Sequence, residues 1–271
     1  MAIYYYVNLN CPPREQLGEE PLFEGVRAAV MAREIRASFV AKYGPDVKPE
    51  QMRYRQRFTT PTGEEESRER TVADLQDDAA LLEPLAPHCS GCLASITGHA
   101  YGCFGSVSLP ISEKAERWLL SRIPKPGTKA GEFYRETAME RYGGHENLAN
   151  WRKATFLESP KRLARHDMGD GDPVTSDQLL HAMFLVGDIA PAHALALLLF
   201  TQAIVADDNS TDKALEVIEQ VEATGSNTGV SQLGFSLIPE EDDDRSILDL
   251  KLFLAGCFRA FSFEVPLAVW L

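Results

Sequence analysis

Residues 189–206 contain no charged side chain, and they limit the folds open to this chain more than any other segment. A run of that length is either a borderline membrane span or a helix enclosed by a protein core. Pro191, His193, Thr201 and Gln202 interrupt it, which favours the buried helix and no membrane span. Enclosing a helix on all sides needs a large core. At 271 residues, 44% hydrophobic and 25% charged, the chain has the material for one large domain or two modest ones. The two ends add a second constraint. Residues 3–9 are aromatic and β-branched, as in an opening strand, and residues 261–271 read as a closing strand with Pro266 at an edge. A terminal strand so apolar must be buried. Placing it beside the N-terminal strand would put both halves of the chain into one sheet.

Between these ends the periodicity predicts a helix over 23–43, with Phe23, Val26, Val30, Ile35 and Phe39 recurring until Gly44-Pro45 stops it. Residues 52–58 alternate, with Met52, Tyr54, Gln56 and Phe58 on one face and Arg53, Arg55 and Arg57 on the other. A turn at Pro61-Thr62-Gly63 leads to a second strand over 65–72 and makes a hairpin. A helix over 73–85 should end at Pro84 and Pro87. A strand over 104–110 and a helix capped by Ser112 and running to 123 follow. Pro124 and Pro126 mark a linker, dividing residues 1–125, an α+β region with the hairpin and a cysteine-rich loop, from 126–271, a mainly helical region ending in the strand. Helical patterning recurs near 129–142, 176–186, 190–206, 211–223 and 245–260, with Asp188 and Pro191 opening the third of these. The acidic run 240–244 reads as a solvated loop that caps the last helix. The fold class expected is α+β, a mixed or antiparallel sheet with packed helices and a zinc-stapled, cysteine-rich loop.

That loop carries the most specific chemistry. Cys89, Cys92, His99 and Cys103 stand in a C-x2-C-x6-H-x3-C spacing, with His88 as a competing ligand. The Ser90-Gly91 turn can converge two thiolates, and a third thiolate with an imidazole would close the tetrahedral shell of structural zinc. Soft sulfur donors argue against magnesium or calcium. The competing reading is a set of inert thiols in a glycine-rich loop. A third, with an open fourth position, is a metal-dependent enzyme using Cys89, Cys92 and Cys103. Five cysteines are too few for a disulfide scaffold. With no basic flank and three tyrosines in residues 2–9, no secretory signal is read, and the expected location is the cytoplasm.

The segment from His88-Cys89-Ser90-Gly91-Cys92 through Tyr101-Gly102-Cys103-Phe104-Gly105 and Leu109-Pro110-Ile111-Ser112 to Leu119 resembles part of a group of uncharacterised bacterial proteins. The peptide-binding proteins of the crocagin ribosomal-peptide pathway are similar to it as well. The resemblance covers only this segment. It implies a binding or accessory protein in peptide natural-product biosynthesis and supplies no catalytic residues.

Other signals are weaker. Arg53, Arg55 and Arg57 form a cationic stripe that could orient the carboxylates of an acidic peptide; pairing with Glu65, Glu66 or Glu69 of the hairpin partner is the plainer account. Asp167, Asp170 and Asp172 lack the spacing of a calcium loop, and His181 and His193 read as satisfied core histidines. A net charge of −13 argues against nucleic acid as a partner. No phosphate-binding glycine loop, nucleophile elbow or H-E-x-x-H pair occurs. The expected function is therefore a non-catalytic protein that binds a peptide or protein partner by strand addition or groove docking beside the hairpin, its oligomeric state left open by the sequence.

Overall fold

The computed structural model describes residues 2–59, 65–142, 148–167, 173–204, 208–224 and 233–270. In chain order its elements are β1 (Ala2–Val7), α1 (Pro12–Leu17), α2 (Glu19–Tyr43), β2 (Arg53–Thr59), β3 (Glu65–Thr71), α3 (Val72–Ala79), β4 (Phe104–Ser108), α4 (Glu113–Arg122), α5 (Lys129–Phe133), α6 (Met139–Arg141), α7 (Ala149–Lys153), β5 (Ala164–Arg165), β6 (Val174–Thr175), α8 (Ser176–Phe184), α9 (Pro191–Phe200), α10 (Asp208–Thr224), α11 (Arg245–Ser262) and β7 (Leu267–Trp270). Helices and small antiparallel sheets make this an α+β protein. The chain divides into two units, one of residues 1–9, 93–97 and 102–271, the other of residues 10–92 and 98–101. Residues on both sides of Pro124 and Pro126 belong to the first unit, so the change of unit does not fall at the prolines.

In the first unit the two chain ends meet as expected. β1 is the central strand of an antiparallel sheet in the order β4-β1-β7, with Tyr5 opposite both Gly105 and Val269. Ile3, Tyr5 and Val7 are buried, and α11 lies against β1 and β4. The Tyr5 ring meets Phe253 edge-on at 5.1 Å, and Phe253 meets Phe184 at 4.8 Å. Glycine is required opposite that ring: a Cβ on Gly105 would lie 2.3 Å from the end of the Tyr5 side chain. Gly105→Ala is expected to lower stability by about 1–3 kcal/mol through overpacking. A shift in the urea midpoint measures it, and an unchanged midpoint would show that the buried ring moves freely.

Residues 189–206 do hold a buried helix. From Ala192 to Phe200 every residue of α9 is buried, and the helix packs against α10 and α11. Among the described residues no helix is long and apolar enough to cross a membrane. Pro191 occupies the first turn as expected, but Ala190 precedes it without a side-chain cap. The Asp188 carboxylate instead accepts from the Val269 amide at 3.3 Å. The last carbonyls around α9 are answered from elsewhere, since the Arg122 guanidinium donates to Thr201 and Gln202. Ser112 caps α4 and Asp244 caps α11, each accepting from the amide three residues on. The Asp170 and Asp172 reading lies outside the described residues.

In the second unit β2 and β3 form the expected hairpin, in register from Arg53 opposite Thr71 to Thr59 opposite Glu65. Met52, Val72 and Leu75 make a small core with Ala28 and Ala32 of α2, and Tyr54 packs against it. Thr71 and Asp74 form a capping box that starts α3. The helix expected over 73–85 ends earlier, at Ala79. Beyond it the chain continues as a 3-10 helix over Ala80–Cys89, because Pro84 and Pro87 lack the amide an α-helix would need there.

Candidate functional site

The cysteine segment supplies the turn expected at its first two cysteines. Ser90 is extended (φ −65°, ψ 121°), Gly91 has φ 69°, and the Cys92 amide donates to the Cys89 carbonyl at 3.2 Å. This is a type II turn, which needs glycine at its third position. Cys89, Cys92 and His99 belong to the second unit, while Cys103 belongs to the first. Among the described residues the one group of three or more His, Cys, Asp or Glu side chains with ligand atoms within 4.8 Å of one another is Glu240, Asp242 and Asp243. The zinc-stapled loop of the expected fold class is not shown. Burial also pushes the Cys89 thiol above its ordinary range; the Tyr101 amide opposes this, and Cys92 and Cys11 add to the rise.

The acidic group at 240–243 is partly neutralised by lysines. The buried Lys251 ammonium donates to Asp243 at 2.7 Å and to the Ile238 carbonyl at 2.8 Å, and Lys114 lies 3.7 Å from Asp242.

Arg53 and Arg55 stand exposed on the hairpin, as the alternation requires; the side chain of Arg57 lies outside the described residues. Arg53 forms an ion pair with Glu69 at 2.7 Å, so part of the stripe is answered within the hairpin. Both partners are well exposed, and such a pair contributes about 0–1 kcal/mol.

An accessible concavity of the second unit lies elsewhere. A groove of about 990 Å³ runs between α2 on one side and α3 with the following 3-10 helix on the other. Its floor is made of small apolar side chains: Ala29, Ala32, Ala37 and Val40 from α2, and Ala79, Ala80, Leu82 and Ala86 from the opposite wall. Arg33 and Arg36 line the α2 side, and Asp77 and Glu83 line the other. All four are exposed, and their side chains take part in no hydrogen bond or ion pair among the described residues. The Tyr101 ring completes the lining, its hydroxyl donating to the Leu82 carbonyl at 2.6 Å.

No protein-family model, no curated protein and no solved structure matches the chain.

A second charged cluster, in the first unit, is sealed. Arg152 of α7 reaches Glu116 of α4 at 2.6 Å and Asp177 of α8 at 2.6 Å, with their side chains 7%, 0% and 3% exposed. Arg152 also donates to the Ser159 carbonyl, and Ser176 donates to Glu116. The second Asp177 oxygen is buried without a partner. This cluster ties three helices together. His181 and His193 are buried as expected but incompletely satisfied, since His181 Nδ1 and His193 Nε2 lack partners.

Sequence reasoning passed over Arg33, Arg36, Asp77 and Glu83. It read α2 through its large apolar positions, whereas the groove is marked by alanines at 29, 32 and 37 beside two arginines one turn apart. Alanine carries little weight in a hydrophobic periodicity, which is why that signal stayed faint.

Proposed function

We propose that this protein is a non-catalytic accessory protein that binds a peptide segment of a partner in the α2 groove. The observation that carries this reading is the groove itself: an apolar floor flanked by unpaired charges of both signs. Alanine, valine and leucine offer contact area and no acid, base or nucleophile, so the floor is suited to holding a ligand rather than transforming one. The resemblance of residues 88–119 to crocagin peptide-binding proteins supports a peptide as the ligand class. Groove docking is preferred to strand addition. The outer edges of β2 and β3 have no partner strand among the described residues, but Arg53, Arg55, Arg68 and Glu69 crowd them with exposed charge, a usual guard against strand pairing.

The test is selection of a displayed random 16-residue peptide library on the full chain. Selected peptides are expected to bind an Ala37→Trp variant at least about tenfold more weakly, because the indole occupies the groove. Ala37 is exposed, so the variant keeps its core, and a thermal melt confirms this. No enrichment, or enrichment indifferent to the indole, overturns the reading. Replacing Arg53, Arg55 and Arg57 together by alanine in the same assay decides whether the hairpin stripe joins the site; unchanged affinity at low salt removes it.

A further inference from the structure

The chemistry of the groove says more about its occupant than that it is a peptide. We infer that the partner segment is an amphipathic helix of about three turns, with large apolar side chains on one face, an acidic flank towards α2 and a basic flank towards α3. This rests on the groove being the binding site proposed above.

Both walls are helical. A helical backbone sets out no row of alternating free amides and carbonyls, so the walls offer no ladder to an extended chain. An extended peptide would press its own unpaired amides and carbonyls against alanine methyls, which is costly for each group sealed from water. A helical peptide satisfies its backbone internally and presents only side chains. The floor favours the same answer. Alanines let a third helix approach closely and leave shallow holes that leucine, methionine or phenylalanine can fill. The span from Ala29 to Val40 is about 17 Å at 1.5 Å per residue, which sets the length at about three turns.

The rims then select charge and direction. Arg33 and Arg36 on one side and Asp77 and Glu83 on the other are exposed and unpaired. A helix with carboxylates along one flank and ammonium or guanidinium groups along the other satisfies both rims in one orientation. Turned end for end it sets like charges together, which is penalised on binding. The unequal rims therefore specify which way the partner helix runs.

The test uses the full chain and a displayed library of amphipathic helical peptides. Its apolar stripe is randomised among leucine, isoleucine, methionine, phenylalanine and alanine, and its flanks among glutamate, lysine and glutamine. The expected consensus has glutamate on one flank and lysine on the other. A selected peptide gains helical circular dichroism on binding and binds an Arg33→Glu/Arg36→Glu variant about tenfold more weakly at low salt. Selection on that variant should yield lysine on the flank that held glutamate. Peptides displaced by Ala37→Trp but with random flanks, and indifferent to the double reversal, overturn this inference while leaving the groove as the binding site. Groove-dependent binders found in the unbiased library alone, with no helical signal when bound, overturn the helix. Failure of both libraries removes the groove reading itself.

Discussion

Replacing Arg152 by methionine is expected to destabilise the first unit by about 3–5 kcal/mol at pH 7, because two buried carboxylates lose the cation they share. The guanidinium serves both at once, each at 2.6 Å, and both are almost completely out of water. Methionine matches the length of the stem but leaves Glu116 and Asp177 facing each other with no cation. Two like charges in a low-dielectric site cannot both remain ionised without penalty. Urea unfolding at pH 7 measures the loss. A triple variant, Arg152→Met with Glu116→Gln and Asp177→Asn, separates charge from shape. It should regain much of the loss, since the cost lies mainly in stranded charge rather than in an absent attraction. A single variant as stable as the parent at pH 7 would mean that water reaches the carboxylates and that the cluster is not sealed.

That cluster also shows where sequence reading stops. Residues 116, 152 and 177 sit on three helices, and no periodicity or local spacing connects them; only the packing of α4, α7 and α8 does. By contrast, the β1–β7 pairing was legible because both chain ends are too apolar to face water, whichever element intervenes. The enclosure of α9 was legible for the same reason. The hairpin followed from strict alternation over 52–58 together with turn residues at 61–63. The unit boundary was not legible, because prolines at 124 and 126 mark an end of helix as readily as a linker, and α4 ends just before them. The cysteine segment teaches the complementary lesson. Its spacing encoded a real local feature, the type II turn at Cys89–Cys92, but convergence of further ligands depends on where His99 and Cys103 are carried by the rest of the chain. The groove escaped notice because its floor is made mostly of the smallest apolar side chain and its rims of charges that any solvated helix could bear.

Acidification is expected to remove about 3 kcal/mol of stability through His193 alone as the pH falls from about 6.5 to about 4. Burial lowers the His193 pKa to about 4, and its hydrogen bond to the Ala182 carbonyl only partly opposes this. The imidazole is 6% exposed, its Nε2 has no partner, and the Tyr142 ring stacks on it at 4.3 Å and 9°. Above pH 6.5 the ring is neutral in folded and unfolded chains alike and pH has no effect through it. Between 6.5 and 4 the unfolded chain binds a proton that the folded chain refuses, so each unit of acidification costs the fold about 1.4 kcal/mol. Below 4 both states are protonated and the loss levels off. Carboxylates titrate in part of the same window, so the decisive quantity is a difference between profiles. His193→Phe keeps an aromatic ring beneath Tyr142 and cannot titrate. Its unfolding free energy, whatever its value at pH 7, should fall less steeply than that of the parent, the gap in slope accumulating to about 3 kcal/mol by pH 4. Parallel profiles would falsify the buried neutral imidazole, and NMR titration of the His193 ring in the intact protein would then show it charging near its ordinary value.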